Sequence, residues 1–535
     1  MKNALLIIVF FNSFLGFSQE DAWVYFIDKP NAQYYFDHPL EMLSQRALDR
    51  RTNQNIPLDI DDIPVHLSYI DQVKLTPDLV VKAQSKWLNA IHVRGTQSAI
   101  ESLRLLPFVN TVFFANRAQN SAGKPFQEKS VTKELQTQVD FNYGSAANQI
   151  NMLNGNLLHQ QNYTGSGKII AIMDAGFPGV NTTIPFQRLR ANNQILGGYD
   201  FVNRNTDFYL GNNHGTMVLS TMGGFISNQF VGTAPDASYY LFITEDSNDE
   251  NPLEESLWVE AAETADRLGV DIINTSLGYF IYNNPLYSYT YNDMNGSTSF
   301  ISRGADKAFS KGIIVVVSAG NSGNSITNPH IGSPADAINV LTVGAVTAAE
   351  NYASFSSIGP SFDGRIKPDV MAQGQSSGVI DENGSVVLAS GTSFSSPIMA
   401  GTIASFWQAF PTLTNAQIVQ LVKQSANQYA TPNPQYGYGI PDFQLAKDAA
   451  LTKSEFRLLD FRTYPNPVSN VVNIVTPEEM IGSVFSLYTS LGQLVLEQKI
   501  ESTNSNIALE PIAKGVYYYQ INSLSQSKTG KIIKK

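Results

Sequence analysis

Hydrophobic and polar positions follow three different rhythms along this chain. Between residues 19 and 118, apolar runs at 22–29 (AWVYFIDK), 86–93 and Phe108–Ala115 are separated by segments with helical spacing, Pro39–Arg50 and Thr96–Leu106. This β-α-β-α-β order predicts a small α+β domain over 19–118. The Gly-, Lys-, Gln- and Ser-rich sequence that follows reads as a linker over 119–142. From 143 to 450, uninterrupted apolar runs recur at 169–173 (IIAIM), 238–244 (SYYLFIT), 270–276 (VDIINTS), 313–319 (IIVVVSA) and 340–346 (VLTVGAV), with a helix predicted over Leu253–Leu268. Strands that are apolar on both faces and alternate with helices predict an α/β fold with a parallel sheet covered on both sides. Ligands of such sheets sit at the carboxyl ends of the strands. After Phe456 the rhythm changes to short alternating strands punctuated by Tyr464-Pro465-Asn466-Pro467 and Leu491-Gly492-Gln493, which predicts a separate β-sandwich over 456–535. No internal repeat is evident.

The first residues are read as an address. Lys2 precedes an apolar run from Ala4 to Phe17, and Gly16 and Ser18 offer small residues to a signal peptidase, so residues 1–18 are expected to be a cleaved signal peptide. The run is interrupted by Asn12 and Ser13 and falls short of the ~18 apolar residues that a span requires, so no transmembrane anchor is expected in the mature chain.

Composition narrows the chemistry. Of 535 residues, 43% are hydrophobic and 15% charged, a balance that excludes a mostly disordered chain or a coiled coil. The net charge of -11 disfavours nonspecific binding to nucleic acid. With no cysteine, thiol nucleophiles, Cys-ligated zinc and disulfides are all excluded, and a catalytic nucleophile must be oxygen- or nitrogen-based. None of the six histidines begins a His-Glu-x-x-His pair. Gly165-Ser166-Gly167-Lys168 precedes a strand instead of following one, so it reads as a turn and not as a phosphate loop. Ser393 lacks the Gly-x-Ser-x-Gly elbow of α/β-hydrolases.

Four polar residues stand where the predicted strands end or helices begin. Strand 169–173 runs into Asp174-Ala175-Gly176, and Asn213-His214-Gly215-Thr216 opens a helix-like apolar run. Asn321 follows strand 313–317, and Gly391-Thr392-Ser393 opens a long helix with Pro397 in its early part. Taken singly, these residues are ordinary turn or capping residues. Together they put a carboxylate, an imidazole, an amide and a hydroxyl at one edge of one sheet.

On these residues the stretch from 143 to 450 resembles the subtilisin-family serine peptidases, or subtilases. The likeness extends to Gly232-Thr233-Ala234-Pro235, Asn274-Thr275-Ser276-Leu277-Gly278 and Gly391 to Pro397. The resemblance implies a secreted serine endopeptidase in which Ser393 is the nucleophile, His214 the general base and Asp174 its orienting carboxylate, with Asn321 an oxyanion donor. It also implies that Ser276, Leu277, Gly278 and Ser318, Ala319, Gly320 flank an extended peptide substrate. Ala175 and Met217 stand where the family usually has a hydroxyl residue and a second histidine, and Phe394-Ser395 replaces Met-Ala. Residues 22–115 are similar in element order to the subtilase propeptide. The last domain, with Tyr464-Pro465-Asn466-Pro467, Leu487 to Gln493, Gly515-Val516-Tyr517 and a basic ending from Lys531 to Lys535, resembles the C-terminal sorting domain of the type IX secretion system. The implied partners are protein or peptide substrates and that secretion machinery, and the implied location is the exterior or the cell surface.

Other readings remain open on the residues alone. The scaffold could be a catalytically silent, surface-displayed binding protein, for which Ala175 and the aromatic loop Tyr279–Tyr291 are the hints. The same triad also serves ester hydrolysis, and the last domain could be an adhesive or carbohydrate-binding sandwich. No cofactor is expected to be required. The acidic loop Asp246–Glu255 could ligate calcium through oxygen, but it reads first as a solvated turn, and no metal residue is assigned.

Overall fold

The computed structural model describes residues 19–120, 141–459, 462–476, 481–489, 492–522 and 527–535. The expected signal peptide and nearly all of the expected linker lie outside the described residues. The chain divides into two compact units, Met1–Ala446 and Lys447–Lys535.

In the first unit, the N-terminal domain is a four-stranded antiparallel sheet. Its spatial order is β2 (Leu79–Ser85), β3 (Ala90–Thr96), β1 (Gln19–Phe26) and β4 (Val109–Phe114). One expectation fails here: the apolar run 86–93 is not one strand. It is the turn of a β2–β3 hairpin followed by half of β3, and Asn89 takes a positive φ of 47° at the turn. The turn looks like strand sequence because Trp87 is buried, 2% exposed, against the second domain instead of facing water. The segment before it also holds more helix than the spacing suggested, with α1 (Gln45–Asn53) and α2 (Leu67–Lys74).

The second domain of this unit has the seven-stranded, all-parallel sheet expected of an α/β fold. Its strands are β5 (Ile169–Asp174), β6 (Ile195–Asp200), β7 (Ser238–Ile243), β8 (Ile272–Thr275), β9 (Ile314–Ser318), β10 (Leu341–Val346) and β11 (Val370–Gln373), in the order β11-β10-β9-β8-β5-β7-β6. Every residue of β5, β8, β9 and β10 is buried, which is why those strands read as continuous apolar runs. Strand β6 is only half-buried and carries Gly197 and Gly198, so its pattern is silent. Connections move to one side of β5 and then cross to the other, so the carboxyl edge of β5 is the switch point of the sheet.

Three helices position the chemistry: α3 (His214–Gly223), α4 (Leu253–Leu268, as expected) and the almost wholly buried α6 (Thr392–Ala409), with α5 (Phe300–Ser310) beside α4. Helix α6 carries no charged residue on any side, as suits a helix inside a protein, and it packs across β8 to β11.

The N-terminal sheet packs on α4, and polar anchors hold the contact. Glu263 of α4 accepts hydrogen bonds from Ser85 Oγ (2.6 Å), the Lys86 N–H (2.9 Å) and the Trp87 N–H (2.9 Å). Trp23 stacks on Phe300 with centroids 5.2 Å apart and donates its indole N–H to Ser256. Fully buried Asp266 meets Arg50 at 2.5 Å, Arg51 at 2.8 Å and Lys86 at 3.4 Å. Burial alone would raise the pKa of this carboxyl, but the three cations outweigh it and hold the pKa low.

The second unit begins within the helix Phe443–Leu459, after which come two antiparallel sheets. One has the order Arg462–Tyr464, Val471–Val475, Asn504–Ala508 and the other the order Leu494–Lys499, Val484–Thr489, Gly515–Asn522, Ser527–Lys534. Alternate residues such as Val472, Ile474, Phe485, Leu487, Ile507 and Ile521 form one shared core, the small sandwich that the alternating pattern predicts.

Candidate active site

The four polar residues converge at the carboxyl edge of the parallel sheet. Asp174 is the last residue of β5, His214 the first of α3, Ser393 the second of α6, and Asn321 lies three residues beyond β9.

Two glycines make the Asp–His approach possible. Gly176 leaves β5 with φ 149°, where a side chain would strike Leu210 O, and a Cβ on Gly215 would lie 2.5 Å from Gly176 O and 3.0 Å from the Asp174 Cβ. With hydrogen in that place, α3 begins against β5, and His214 Nδ1 lies 2.8 Å from Asp174 Oδ1. The Asp174 charge raises the imidazole pKa above its ordinary value, outweighing burial. The other ring edge stays partly exposed, and Phe394 packs beside it with centroids 5.9 Å apart. Asp174 Oδ1 also accepts the Ala175 N–H at 2.8 Å, while the buried Oδ2 has no hydrogen-bonding partner among the described residues. A hydroxyl residue at 175 would have brought a second donor to this neighbourhood, and Ala175 brings none.

Ser393 is held by a reciprocal latch. Pro397 has no N–H to give to the carbonyl four residues before it, which is that of Ser393. That carbonyl accepts instead from Ser276 Oγ at 2.9 Å, while Ser393 Oγ donates to Ser276 O at 3.2 Å. Buried Asn274 extends the latch, donating Nδ2 to Ser276 Oγ at 3.0 Å and accepting from Ser396 Oγ at 2.9 Å. In this arrangement the Ser393 hydroxyl proton points to Ser276 O.

Asn321 is oriented by α6 itself. Its Oδ1 accepts from the Thr392 N–H at 2.9 Å and from Thr392 Oγ1 at 3.0 Å, and this double acceptance leaves Nδ2 as the free end. Thr392 Oγ1 in turn accepts the Gly320 N–H at 3.1 Å.

All six residues expected to flank a substrate line one pocket of about 170 Å³ together with Ser393 and Asn321. Its walls are Ser276, Leu277, Gly278 on one side and Ser318, Ala319, Gly320 on the other. Phe280, His330 and Gly332 close it. His330 stacks on Tyr291 at 4.1 Å, so the aromatic loop forms part of the pocket's support. Neither His330 nor the positioning role of Asn274 was anticipated. The Asn274-to-Gly278 block stands out as a motif, yet nothing in it tells which side chain turns inward to bond the Ser393 carbonyl.

Carboxylates of the acidic loop Asp246–Glu255 are engaged by the protein itself, Glu255 accepting from Tyr282, Tyr289 and the Ile301 N–H, and Asp249 from Asn283. Glu254 accepts from the Asp246 N–H at 2.9 Å and the Asn251 N–H at 3.0 Å. Among the described residues no group of three or more His, Asp or Glu converges as a metal site.

Comparison with known proteins yields three family matches. Residues 165–439 match the subtilase family, residues 21–133 the peptidase S8 propeptide domain of Bacteroidota, and residues 462–535 a secretion system C-terminal sorting domain. Among curated relatives, subtilisin NAT of Bacillus subtilis subsp. natto is 30% identical over 368 residues, covering 68% of this chain and 82% of its own. Subtilisin DY of Bacillus licheniformis is 31% identical over 301 residues, covering 56% and 97%. Among solved structures, that of MycP1 with its N-terminal propeptide removed aligns with a TM-score of 0.44 at 23% identity, over 56% of this chain and 96% of that one.

Proposed function

Because the chain belongs to the subtilase family of serine endopeptidases and carries both a propeptide and a C-terminal secretion sorting domain, we propose that it cleaves peptide bonds with Asp174, His214 and Ser393, assisted by Asn321. The observation that carries this reading is that Ser393 and Asn321 line the pocket of Ser276–Gly278 and Ser318–Gly320, with the bonded Asp174–His214 pair at the same edge of the sheet.

Each role follows from an atom's surroundings. The Asp174 carboxylate holds His214 with Nδ1 protonated and Nε2 free to take the Ser393 proton, and it stabilises the imidazolium that results. Ser393 Oγ then attacks the carbonyl carbon, and the developing oxyanion meets Asn321 Nδ2 and the Ser393 N–H at the start of α6. The imidazolium protonates the leaving amine, the acyl-enzyme forms, and water reverses the sequence. The backbone of Ser276–Gly278 and of Ser318–Gly320 pairs with an extended substrate, which favours a peptide over a simple ester. In the secreted precursor, residues 1–18 act as the export signal, and the sorting domain carries the protein across the outer membrane by the type IX route. The presence of Asp174, His214, Asn321 and Ser393 together argues against a catalytically silent scaffold.

The test is covalent labelling of the processed protein by a fluorophosphonate, beside Ser393→Ala and His214→Ala. Labelling confined to Ser393 and lost in both variants is the expected result. A folded, processed protein that does not label would overturn the assignment.

A further inference from the structure

A second depression adjoins the site on the other side of β5. It is a groove of about 640 Å³ that begins at Ala175, next to Asp174, and its walls include Leu210, Asp200, Asp207, Glu245 and Asp246, with no lysine, arginine or histidine among the lining residues. Two of these carboxylates are engaged by their own loops. Asp200 accepts from the N–H and Nδ2 of Asn203, both at 2.8 Å, and Asp246 accepts from the N–H and Nδ2 of Asn248 at 3.1 and 3.0 Å.

Glu245 differs from them. Its two hydrogen bonds, from Tyr279 Oη at 2.6 Å and Thr244 Oγ1 at 3.0 Å, both fall on Oε1. Among the described residues no donor reaches Oε2. Tyr279 directly follows Gly278, so this bond ties Glu245 to the wall of the substrate pocket, and the Glu245 charge reaches His214. Glu245 thus stands between the pocket and the groove. In an extended peptide, successive side chains point to opposite faces. A substrate with one side chain in the pocket of Ser276–Gly278 therefore sends the adjacent one toward the opposite wall, where Ala175 and Glu245 lie.

We infer that Glu245 is a specificity-determining residue, its free Oε2 selecting a cationic side chain, lysine or arginine, at the substrate position adjacent to the pocket-bound residue. The inference rests on the peptidase reading above. Burial, together with the neighbouring Glu250 and Asp174 carboxylates, pushes the Glu245 carboxyl up to about 8, an unfavourable field that a cation in the groove relieves. No protein cation lines the groove to do so.

The experiment measures kcat/KM of the processed enzyme at pH 9 on fluorogenic peptide pairs that differ only at that position: lysine, its uncharged isostere norleucine, and glutamate. A charge-assisted hydrogen bond in a partly desolvated groove predicts a lysine-to-norleucine ratio of about tenfold or more, with glutamate poorest. Glu245→Gln keeps an oxygen for Tyr279 and Thr244, and the ratio is expected to fall to about one by loss of that same interaction. Taking a ratio cancels any common effect on His214. A wild-type ratio near one, or the same ratio in both proteins, would overturn the inference. If Glu245→Gln does not fold, the wild-type series alone decides. Fluorophosphonate labelling of the same preparations separates the two readings: a labelled enzyme with a flat profile refutes only the role of Glu245, and an unlabelled one refutes the triad as well.

Discussion

The latch between α6 and the strand exit at Ser276 makes a quantitative prediction. Pro397 leaves the Ser393 carbonyl without its helical donor, and Ser276 Oγ takes that place at 2.9 Å. Ser276→Ala removes the replacement, so a half-buried carbonyl and the buried Asn274 amide both lose a partner. Leaving a buried acceptor unsatisfied costs about 1–3 kcal/mol. In a Pro397→Ala background residue 397 regains an N–H, which can close the ordinary helical bond to Ser393 O. There the same Ser276→Ala change should cost about 1 kcal/mol less, a coupling free energy well above the ~0.3–0.5 kcal/mol scatter of additivity. The assay is urea denaturation of the Ser393→Ala precursor, which prevents self-cleavage. It would be followed by tryptophan fluorescence in four proteins: the background, each single change and the double change. Ser393→Ala keeps the carbonyl under test and deletes only the hydroxyl. Equal costs of Ser276→Ala in the two backgrounds would refute the claim that Pro397 and Ser276 act on one carbonyl.

Three further outcomes follow from the site. Asn321→Ala should lower kcat by about 10²–10³, the loss already known for removal of the side-chain oxyanion donor in a subtilisin, with KM little changed; Asn321→Asp, which puts a carboxylate oxygen where Nδ2 stood, should be at least as damaging. Because Asp174 raises the His214 pKa, the base is available only above that raised value, so Asp174→Asn should move the acid limb of the kcat/KM profile to lower pH while reducing kcat by about 10⁴; an unmoved limb in the residual activity would contradict the assigned cause. Glu263, buried beneath the propeptide hairpin, has its carboxyl pushed up by burial from 4.5 to about 7. The docked state therefore holds a proton that the free state releases. The Glu263 contribution to docking should be fullest below pH 4.5 and fade as pH rises toward 7, and affinity titrations of the cleaved propeptide with Glu263→Gln should lose the fall in affinity between those values.

Much of this protein could be read from its residues because its central sheet is buried on both faces. Strands such as β9 and β10 have no polar side to hide, so their runs announced a parallel sheet, and α4 appeared with its own bounds. The triad candidates were legible for a related reason: a parallel sheet gathers its strand ends on one edge, so polar residues at those ends must be neighbours wherever they fall in the chain. Half-buried β6, and the Lys86–Asn89 turn hidden inside an apolar run, were not legible. Strand β6 lacks a clear rhythm because it is half-buried and carries Gly197 and Gly198, and the turn's pattern depends on a surface from another domain, Trp87 being buried against α4 and its Glu263.

Local sequence determined the elements, the edge on which chemistry collects, and the residue types able to perform it. Tertiary structure alone decided the pairings: which oxygen of Glu245 remains free, that Ser276 replaces the donor missing at Pro397, and that Thr392 turns the Asn321 amide outward. Those outcomes depend on distances between segments far apart in the chain. A hydrogen bond exists only within a few tenths of an ångström, a precision set by the packing of the whole domain and not by any local run of residues.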